Sequence, residues 1–205
     1  MKEENIYFKS GDLALEGLLN RGDGEKGVVV THPHPLYGGD MHNTVVSTVV
    51  QAYSDAGYGT LRFNFRGVGG SEGHYDDGRG EQDDVKGALD YLIRLGKKTP
   101  SLAGYSFGAW VIAMGLPQYQ GVDHLVMVAP PVAFMEFSFL QESDRIGLVV
   151  SGSRDDIAPP PEIRKMIGQW NPDASFRIIE GADHSYRGYE TKLSGIIRGF
   201  LMQKP

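Results

Sequence analysis

Short continuous apolar runs alternate along the chain with longer segments in which apolar residues recur at helical spacing. Runs such as residues 28–30 and 125–128 are typical of strands that are buried on both faces of a sheet. Val85, Leu89 and Leu92 lie three or four positions apart, which is typical of one face of a helix. Strands are predicted at residues 6–9, 13–19, 27–31, 61–65, 101–104, 125–128, 146–151 and 176–179. Helices are predicted at residues 43–56, 81–95, 107–116, 161–170 and 189–202.

This alternation predicts an α/β fold, a three-layer sandwich in which a mostly parallel sheet lies between two layers of helices. The two opening strands are expected to form an antiparallel hairpin at one edge of the sheet. No internal repeat and no linker divides the sequence, so residues 1–205 are predicted to form a single domain. Ligands of such sheets bind beyond the carboxyl ends of the strands, so the loops after the strands are where candidate chemistry is expected.

The composition narrows the classes of function. The chain has 205 residues and a net charge of −6, which disfavours a nucleic-acid-binding protein because such proteins need a basic face. It has no cysteine, which excludes disulfides, iron–sulfur clusters and cysteine nucleophiles. Acidic residues near the N-terminus stand where a signal peptide would be apolar, and no apolar run approaches the roughly 20 residues of a membrane span. We therefore expect a cytoplasmic protein with no membrane span.

The pattern G-x-S-x-G, which places a nucleophilic serine at a sharp strand-to-helix turn, occurs twice in the sequence. Ser106 follows a predicted strand and is followed at once by an apolar predicted helix. Ser71 lies several residues beyond its strand and is followed by a polar loop. Ser106 is therefore the predicted nucleophile, whereas Ser71 is predicted to have a structural role in a turn.

A serine hydroxyl needs a base that accepts its proton, usually a histidine oriented by a carboxylate. In hydrolases with this turn the chain order is serine, acid, histidine. His184 alone among the six histidines follows the last predicted strand, so it is the predicted base. The acid is expected after the strand at residues 146–151, where Asp155 and Asp156 are adjacent and spacing does not separate them. Asp183 is a third candidate, but it neighbours the base and is expected to shape that loop.

The negative oxygen that forms during such a reaction needs backbone N–H donors, which together make an oxyanion hole. One donor is expected to be the N–H of Phe107, directly after the nucleophile. The other is expected from the loop after the third predicted strand, where Pro33 and Pro35 have no N–H to donate. Leu36 is the preferred second donor and His34 is the alternative.

Together these residues resemble the α/β-hydrolase superfamily over residues 27–200. Residues 32–39, which read HPHPLYGG, and residues 62–73, which read RFNFRGVGGSEG, are similar to a bacterial group of small predicted α/β-hydrolases. That group is also similar to dienelactone hydrolases. The resemblance implies an eight-stranded sheet of the α/β-hydrolase fold. Dienelactone hydrolases use a cysteine nucleophile, which this chain lacks, so their particular substrate is not carried over.

The resemblance also implies the roles of individual residues. Ser106 corresponds to the nucleophile, His184 to the base, and Asp155 or Asp156 to the acid. The acid loop of the family reads roughly G-x-x-D-x-x-V-P. The spacing from Asp155 to Pro159 fits this pattern, with alanine in place of valine, and it favours Asp155 as the acid.

Many relatives insert a cap domain after the sixth strand, and no cap is expected in this chain. Only about 15 residues separate the strands there, a normal length for a connection with one short helix. Residues 130–142 are apolar and could form a wall for an acyl group, an amphipathic surface helix or a contact in a homodimer. Tyr37, Tyr105 and Phe134 are the residues expected to contact the substrate.

Other interpretations of the motifs are less favoured. His32 and His34 follow a strand with a spacing found in metal hydrolases, but Leu36 stands where that motif has aspartate. No metal and no other cofactor is therefore predicted. Arg66 is expected to tie down its loop, and Asp84 is expected to lie on a solvated acidic helix start.

The function predicted from the sequence is hydrolysis of a small to medium acyl ester or thioester through an acyl-enzyme intermediate. Amide or peptide substrates are less favoured because the chain contains no domain that would select a peptide. A non-catalytic binding module of the same fold is the alternative from a different class, and such modules usually lose one of the three catalytic groups.

Overall fold

The structure is a computed structural model that describes residues 2–203. Its strands β1 to β8 are Glu4–Ser10, Leu13–Asn20, Lys26–Thr31, Gly59–Phe63, Thr99–Tyr105, Leu125–Val128, Ile146–Gly152 and Ser175–Ile179. Its helices α1 to α5 are Thr44–Asp55, Arg79–Arg94, Phe107–Gly115, Pro160–Trp170 and Glu190–Met202. Two single 3₁₀ turns lie at Pro35–Tyr37 and Leu116–Gln118.

All eight strands belong to one sheet, in the order β1-β2-β4-β3-β5-β6-β7-β8. β1 and β2 form an antiparallel hairpin, β2 pairs with β4 in antiparallel orientation, and the strands from β4 to β8 run parallel. The fold prediction is confirmed: residues 2–203 form a mostly parallel eight-stranded sheet with an antiparallel N-terminal hairpin and no cap.

The strand order also determines which face each helix covers. The connection from β3 to β4 runs in one direction along the sheet, and the connections from β4 onwards run in the other. Because such crossovers are right-handed, α1 lies on one face and α2, α3 and α4 lie on the opposite face. α5 packs beside α1. The loops after the parallel strands therefore meet at one edge of the sheet.

The central strands are apolar along their length because helices cover both of their faces. Leu125–Val128 is buried at every position, as are the valines of β3. The longest helix, α2, has 16 residues and carries a polar face. Measured by length and apolar character together, none of the helices within residues 2–203 could cross a bilayer.

Strand β4 begins and ends two residues earlier than the pattern predicts. Gly59 pairs with Gly27 of β3, and pairing continues as far as Arg62. A glycine contributes nothing to an apolar pattern, so the start of the strand is hidden in the sequence. At the other end, the Phe65 N–H donates to the His32 ring at 3.0 Å, which takes the chain out of the sheet.

Residues 130–142 form turns, so the amphipathic helix, one of the three alternatives left open for this segment, is not what the structure shows. The Pro131 carbonyl accepts a hydrogen bond from the Phe134 N–H at 3.1 Å, which closes a single turn. The Trp110 indole N–H then donates to the Glu136 carbonyl at 2.8 Å, which ties the segment to α3.

Asp84 is fully buried, so its predicted position on a solvated helix start was wrong. Its carboxylate accepts from the Arg66 guanidinium at 2.8 Å, from the Arg66 backbone N–H at 3.0 Å and from the Ser10 hydroxyl at 2.7 Å. These contacts join the hairpin, the loop after β4 and helix α2. Arg66 holds its loop in place, as the sequence interpretation had it.

Replacing Asp84 with asparagine is expected to lower the free energy of unfolding by about 3 kcal/mol or more, because it leaves the Arg66 charge without its buried partner. The matched control is Asp83→Asn, one residue away and exposed, which should change stability by less than about 0.5 kcal/mol. Urea unfolding of the three proteins measures both effects. Equal stability of the two variants would contradict a stabilising role for the buried pair.

Candidate active site

The turn between β5 and α3 has the geometry that a nucleophile elbow requires. Ser106 has φ 54° and ψ −119°, a strained backbone that aims its side chain out of the turn. A Cβ on Gly104 would lie 2.6 Å from the Ala109 nitrogen, and a Cβ on Gly108 would lie 2.6 Å from the Thr31 hydroxyl oxygen. Only glycine therefore lets the strand and the helix pass so closely on both sides of the serine.

The structure brings the three predicted side chains together. The Ser106 hydroxyl oxygen lies 2.9 Å from His184 Nε2, and His184 Nδ1 lies 2.9 Å and 3.0 Å from the two carboxylate oxygens of Asp155. An ionised carboxylate only accepts hydrogen bonds, so Nδ1 carries the ring proton and Nε2 is free to accept the serine proton. Chain order and geometry agree, although the three residues span 79 positions from Ser106 to Asp155 to His184.

The geometry separates the candidate carboxylates that sequence spacing could not. Asp155 is 2% exposed, and its carboxylate also accepts the backbone N–H groups of Ile157 at 3.0 Å and Ala158 at 2.8 Å. These two donors hold it facing His184. Asp156 is exposed to solvent. Asp155 is thus the carboxylate that contacts the imidazole.

Asp183 lies beside the histidine along the chain, but its carboxylate bonds to a different residue. Its carboxylate accepts the hydroxyl of Ser185 at 2.6 Å and the backbone N–H of the same residue at 3.0 Å. The Ser185 hydroxyl bond is the main reason that the pKa of Asp183 lies below its usual value. Asp183 shapes the loop that carries His184, as expected.

The two expected N–H donors are placed differently. Phe107 is the first residue of α3, where a backbone N–H has no carbonyl of a preceding helical turn to bind. The Leu36 N–H, in contrast, donates to His34 Nδ1 at 3.2 Å and caps the 3₁₀ turn. The Leu36 N–H is therefore already engaged within its own loop, which weakens the case for it as the second donor, and His34 stays the alternative. The centroid of the His34 ring lies 4.7 Å from that of the Phe107 ring, so the loop after β3 contacts the start of α3.

The three expected substrate contacts fall into two groups. Tyr37 is 87% exposed and Phe134 is 76% exposed, on the loops after β3 and β6. These strands flank β5 in the sheet, so the two loops lie on either side of the turn that carries Ser106. Tyr105 is only 5% exposed, and its hydroxyl donates to the His184 carbonyl at 2.8 Å. Tyr105 thus holds the His184 loop. The expectation that it contacts the substrate is corrected, because its ring is buried and its hydroxyl is engaged.

Ser71 and His32 have structural contacts. The Ser71 hydroxyl donates to the Asn64 carbonyl at 2.6 Å and accepts the Glu16 N–H at 3.0 Å, so it is engaged both as a donor and as an acceptor. His32 lies within 2.6 Å of the Pro33 carbonyl and accepts the Phe65 N–H through its other ring nitrogen. Burial lowers the pKa of His32 to about 4, which keeps the ring neutral at pH 7.

A groove of about 580 Å³ runs between the β3 loop (residues 32–39) and the glycine-rich loop (residues 67–80). Leu36 and Tyr75 are among the residues that line it. Tyr75 was not singled out from the sequence, and its hydroxyl lies 3.3 Å from His34 Nε2. No spacing rule links a tyrosine in a glycine-rich loop with a histidine 41 positions earlier, so the sequence carries no signal for this contact. Within residues 2–203, no group of three or more His, Asp or Glu side chains has the arrangement of a metal site.

A hydroxyl, an imidazole and a carboxylate in hydrogen-bonded series, at a strand-to-helix turn of a sheet covered on both faces, define a hydrolase of the α/β class. Comparison with known proteins agrees, since residues 28–188 match the family model described as the alpha/beta hydrolase family. The chain belongs to the α/β hydrolase family.

The relatives include proteins that match this chain over nearly its whole length. An uncharacterised protein of Rickettsia prowazekii is 34% identical over 209 residues, which cover 96% of this chain and 88% of that protein. A structure described as an alpha-beta serine hydrolase homologue from Coxiella burnetii has a TM-score of 0.88 and 34% identity over 97% of both chains. A Xanthomonas campestris structure, described as an α/β serine hydrolase without lid, has a TM-score of 0.88 and 27% identity over 99% of this chain and 95% of that one.

Burial of His32 predicts a loss of stability in acid. The unfolded chain takes up a proton near pH 6.5, whereas the folded protein resists protonation down to about pH 4. The free energy of unfolding should therefore fall as the pH drops from 6.5 towards 4, with about 2 to 3 kcal/mol of the fall due to His32. Urea unfolding between pH 7 and pH 4.5 measures this fall.

The variant His32→Gln should lose that part of the pH dependence because glutamine does not titrate. The exposed histidine His42 provides the control, and His42→Gln should keep the wild-type dependence. A His32→Gln protein whose stability falls with pH as steeply as the wild type would contradict the assignment.

Proposed function

We propose that this protein is a serine hydrolase that cleaves esters or thioesters of small to medium acyl groups. The observation that carries the proposal is the hydrogen-bonded series from Ser106 through His184 to Asp155, with contacts of 2.9 Å at both ends of the imidazole. Such a series makes a weakly nucleophilic hydroxyl reactive at neutral pH because the ring accepts its proton as it attacks.

The proposed reaction proceeds in two halves. Ser106 Oγ attacks the substrate carbonyl carbon while its proton passes to His184 Nε2, and Asp155 stabilises the imidazolium that results. The carbonyl electrons move to oxygen, which the N–H groups of Phe107 and His34 bind. The intermediate collapses and expels the alcohol or thiol, which takes the proton from His184. Water then attacks the acyl-enzyme in the same way and releases the acid.

The surroundings of Ser106 support a small or medium acyl substrate. Leu36, Tyr37 and Phe134 are all largely exposed and offer apolar surface on the two loops that flank the serine. The relatives from Coxiella burnetii and Xanthomonas campestris, both described as serine hydrolases, support the same class of reaction.

A fluorophosphonate probe, which reacts only with an activated serine, tests the nucleophile. Wild-type protein should gain the mass of one adduct, Ser106→Ala should gain none, and Ser71→Ala should label like the wild type. Ser106→Ala should also lower the turnover of short acyl esters by at least about 1000-fold with an unchanged circular dichroism spectrum, because the reaction loses its nucleophile. Folded wild-type protein that neither labels nor hydrolyses any member of an ester and thioester panel would contradict the proposal and favour a non-catalytic binding module.

The two adjacent aspartates form a matched pair of variants. Asp155→Asn should lower kcat by about 1000- to 10,000-fold because the imidazole loses the carboxylate that sets its tautomer. Asp156→Asn removes an exposed charge of the same loop and should leave kcat within about threefold of the wild type. Steady-state kinetics on one ester compares them. Equal effects, or the larger effect at Asp156, would contradict the assignment of the acid role to Asp155.

A further inference from the structure

The His34 side chain joins the β3 loop to the glycine-rich loop. Its Nδ1 accepts the Leu36 N–H at 3.2 Å, which requires that this nitrogen carry no proton. The proton of the neutral ring is then on Nε2, which donates to the Tyr75 hydroxyl oxygen at 3.3 Å. The two contacts together select one tautomer and one orientation of the ring.

Tyr75 is half-buried beside the His34 ring. Because its oxygen accepts from the His34 ring, its own proton is free to be donated. Burial is the largest cause that raises the pKa of Tyr75 to about 12, and the charge of Asp77 adds to it.

Three aromatic side chains also pack against the His34 ring. The His34 ring centroid lies 4.7 Å from that of Phe107, 5.2 Å from Tyr75 and 5.0 Å from Tyr37. Phe107 directly follows the nucleophile, so the histidine ring links the β3 loop to the elbow. Burial lowers the pKa of His34 below its usual value, and the negative charge of Asp77 opposes that shift only in part. The ring is therefore neutral at pH 7, as its two hydrogen bonds require.

We propose that Tyr75 and the imidazole of His34 are positioning residues that hold the β3 loop so that the His34 backbone N–H binds the negative oxygen of the intermediate. The chain of contacts runs from Tyr75 through the His34 ring to the Leu36 N–H. This inference rests on the proposed function, because it assigns the side chains that place one donor of the proposed oxyanion hole.

A role in positioning predicts a specific kinetic effect. An N–H that binds charge only in the transition state contributes to kcat and little to the binding of the ground state. Loosening the loop should therefore lower kcat and leave KM nearly unchanged. The loss should be smaller than the roughly 100- to 1000-fold that follows from removal of an oxyanion donor, because the N–H itself remains.

Kinetics on one short acyl ester tests this effect. Tyr75→Phe keeps the ring and removes the hydroxyl, and it should lower kcat by about tenfold at constant KM. Tyr119→Phe is the control, since Tyr119 is buried and its hydroxyl also makes a hydrogen bond, to the Gln82 carbonyl, outside the candidate site. The control should keep the wild-type kcat. Equal losses in the two variants, or a loss confined to KM, would overturn the proposal.

Two further variants separate the cap of the 3₁₀ turn from the link to Tyr75. Asparagine is a good cap because its side-chain oxygen can accept the Leu36 N–H, whereas alanine cannot. His34→Ala should therefore lower kcat more than His34→Asn does. Asparagine does not reach Tyr75, so Tyr75→Phe should cost little more in the His34→Asn background. Identical kcat values for wild type, His34→Ala and His34→Asn would overturn a positioning role for the ring.

Nitrogen-15 NMR of the histidine rings reports the chain of contacts without any substrate. His34 should be in the Nε2–H tautomer at pH 7, and its ring resonances should move in Tyr75→Phe but not in Tyr119→Phe. An Nδ1–H tautomer would overturn the proposal, since that nitrogen could not accept the Leu36 N–H. If the wild type shows the expected tautomer but does not react with a fluorophosphonate, the proposed function fails and the oxyanion role falls with it, while the contacts themselves stand.

Discussion

The close passage of strand β5 and helix α3 at Ser106 is the constraint on which the candidate site depends. No side chain fits at Gly104 or Gly108, and the serine itself takes up a left-handed backbone conformation. Such strain persists only where the surrounding structure holds it in place. The buried sheet supplies that support, because Gly104 pairs with both Thr31 and Met127 on neighbouring strands. The elbow is therefore a property of the whole sheet and cannot be built from the loop alone.

Much of the architecture could be predicted because each part leaves a local signal. Strands buried on both faces read as apolar runs, and the serine between two glycines marks the turn that carries it. The alternatives for residues 130–142 stayed open because apolar content alone does not distinguish a helix from turns that pack against α3. Asp84 was misjudged because an acidic residue at a helix start is usually solvated, and its partner Arg66 lies 18 positions away.

The finer features of the site depend on side-chain direction, which sequence spacing does not contain. Asp155 and Asp156 are neighbours, and the two N–H groups that hold Asp155 become visible only in the folded loop. The N–H of Leu36 is occupied by a ring two residues before it, which weakens the case for the expected donor. Tyr105 precedes the nucleophile and reaches the loop of His184, 79 positions away. Contacts between distant segments such as this one require the tertiary structure.

The turns of residues 130–142 stand where many relatives carry a cap, and they are tied to α3 and, through Ala133 and Ile157, to the loop of Asp155. Within residues 2–203, a site bordered in this way has no cover that must open before a ligand enters. Discrimination among ligands then depends on how well each one fits surfaces that are already in place, and not on which ligand drives a closing motion. Entry and exit at such a site would need no opening motion of these residues.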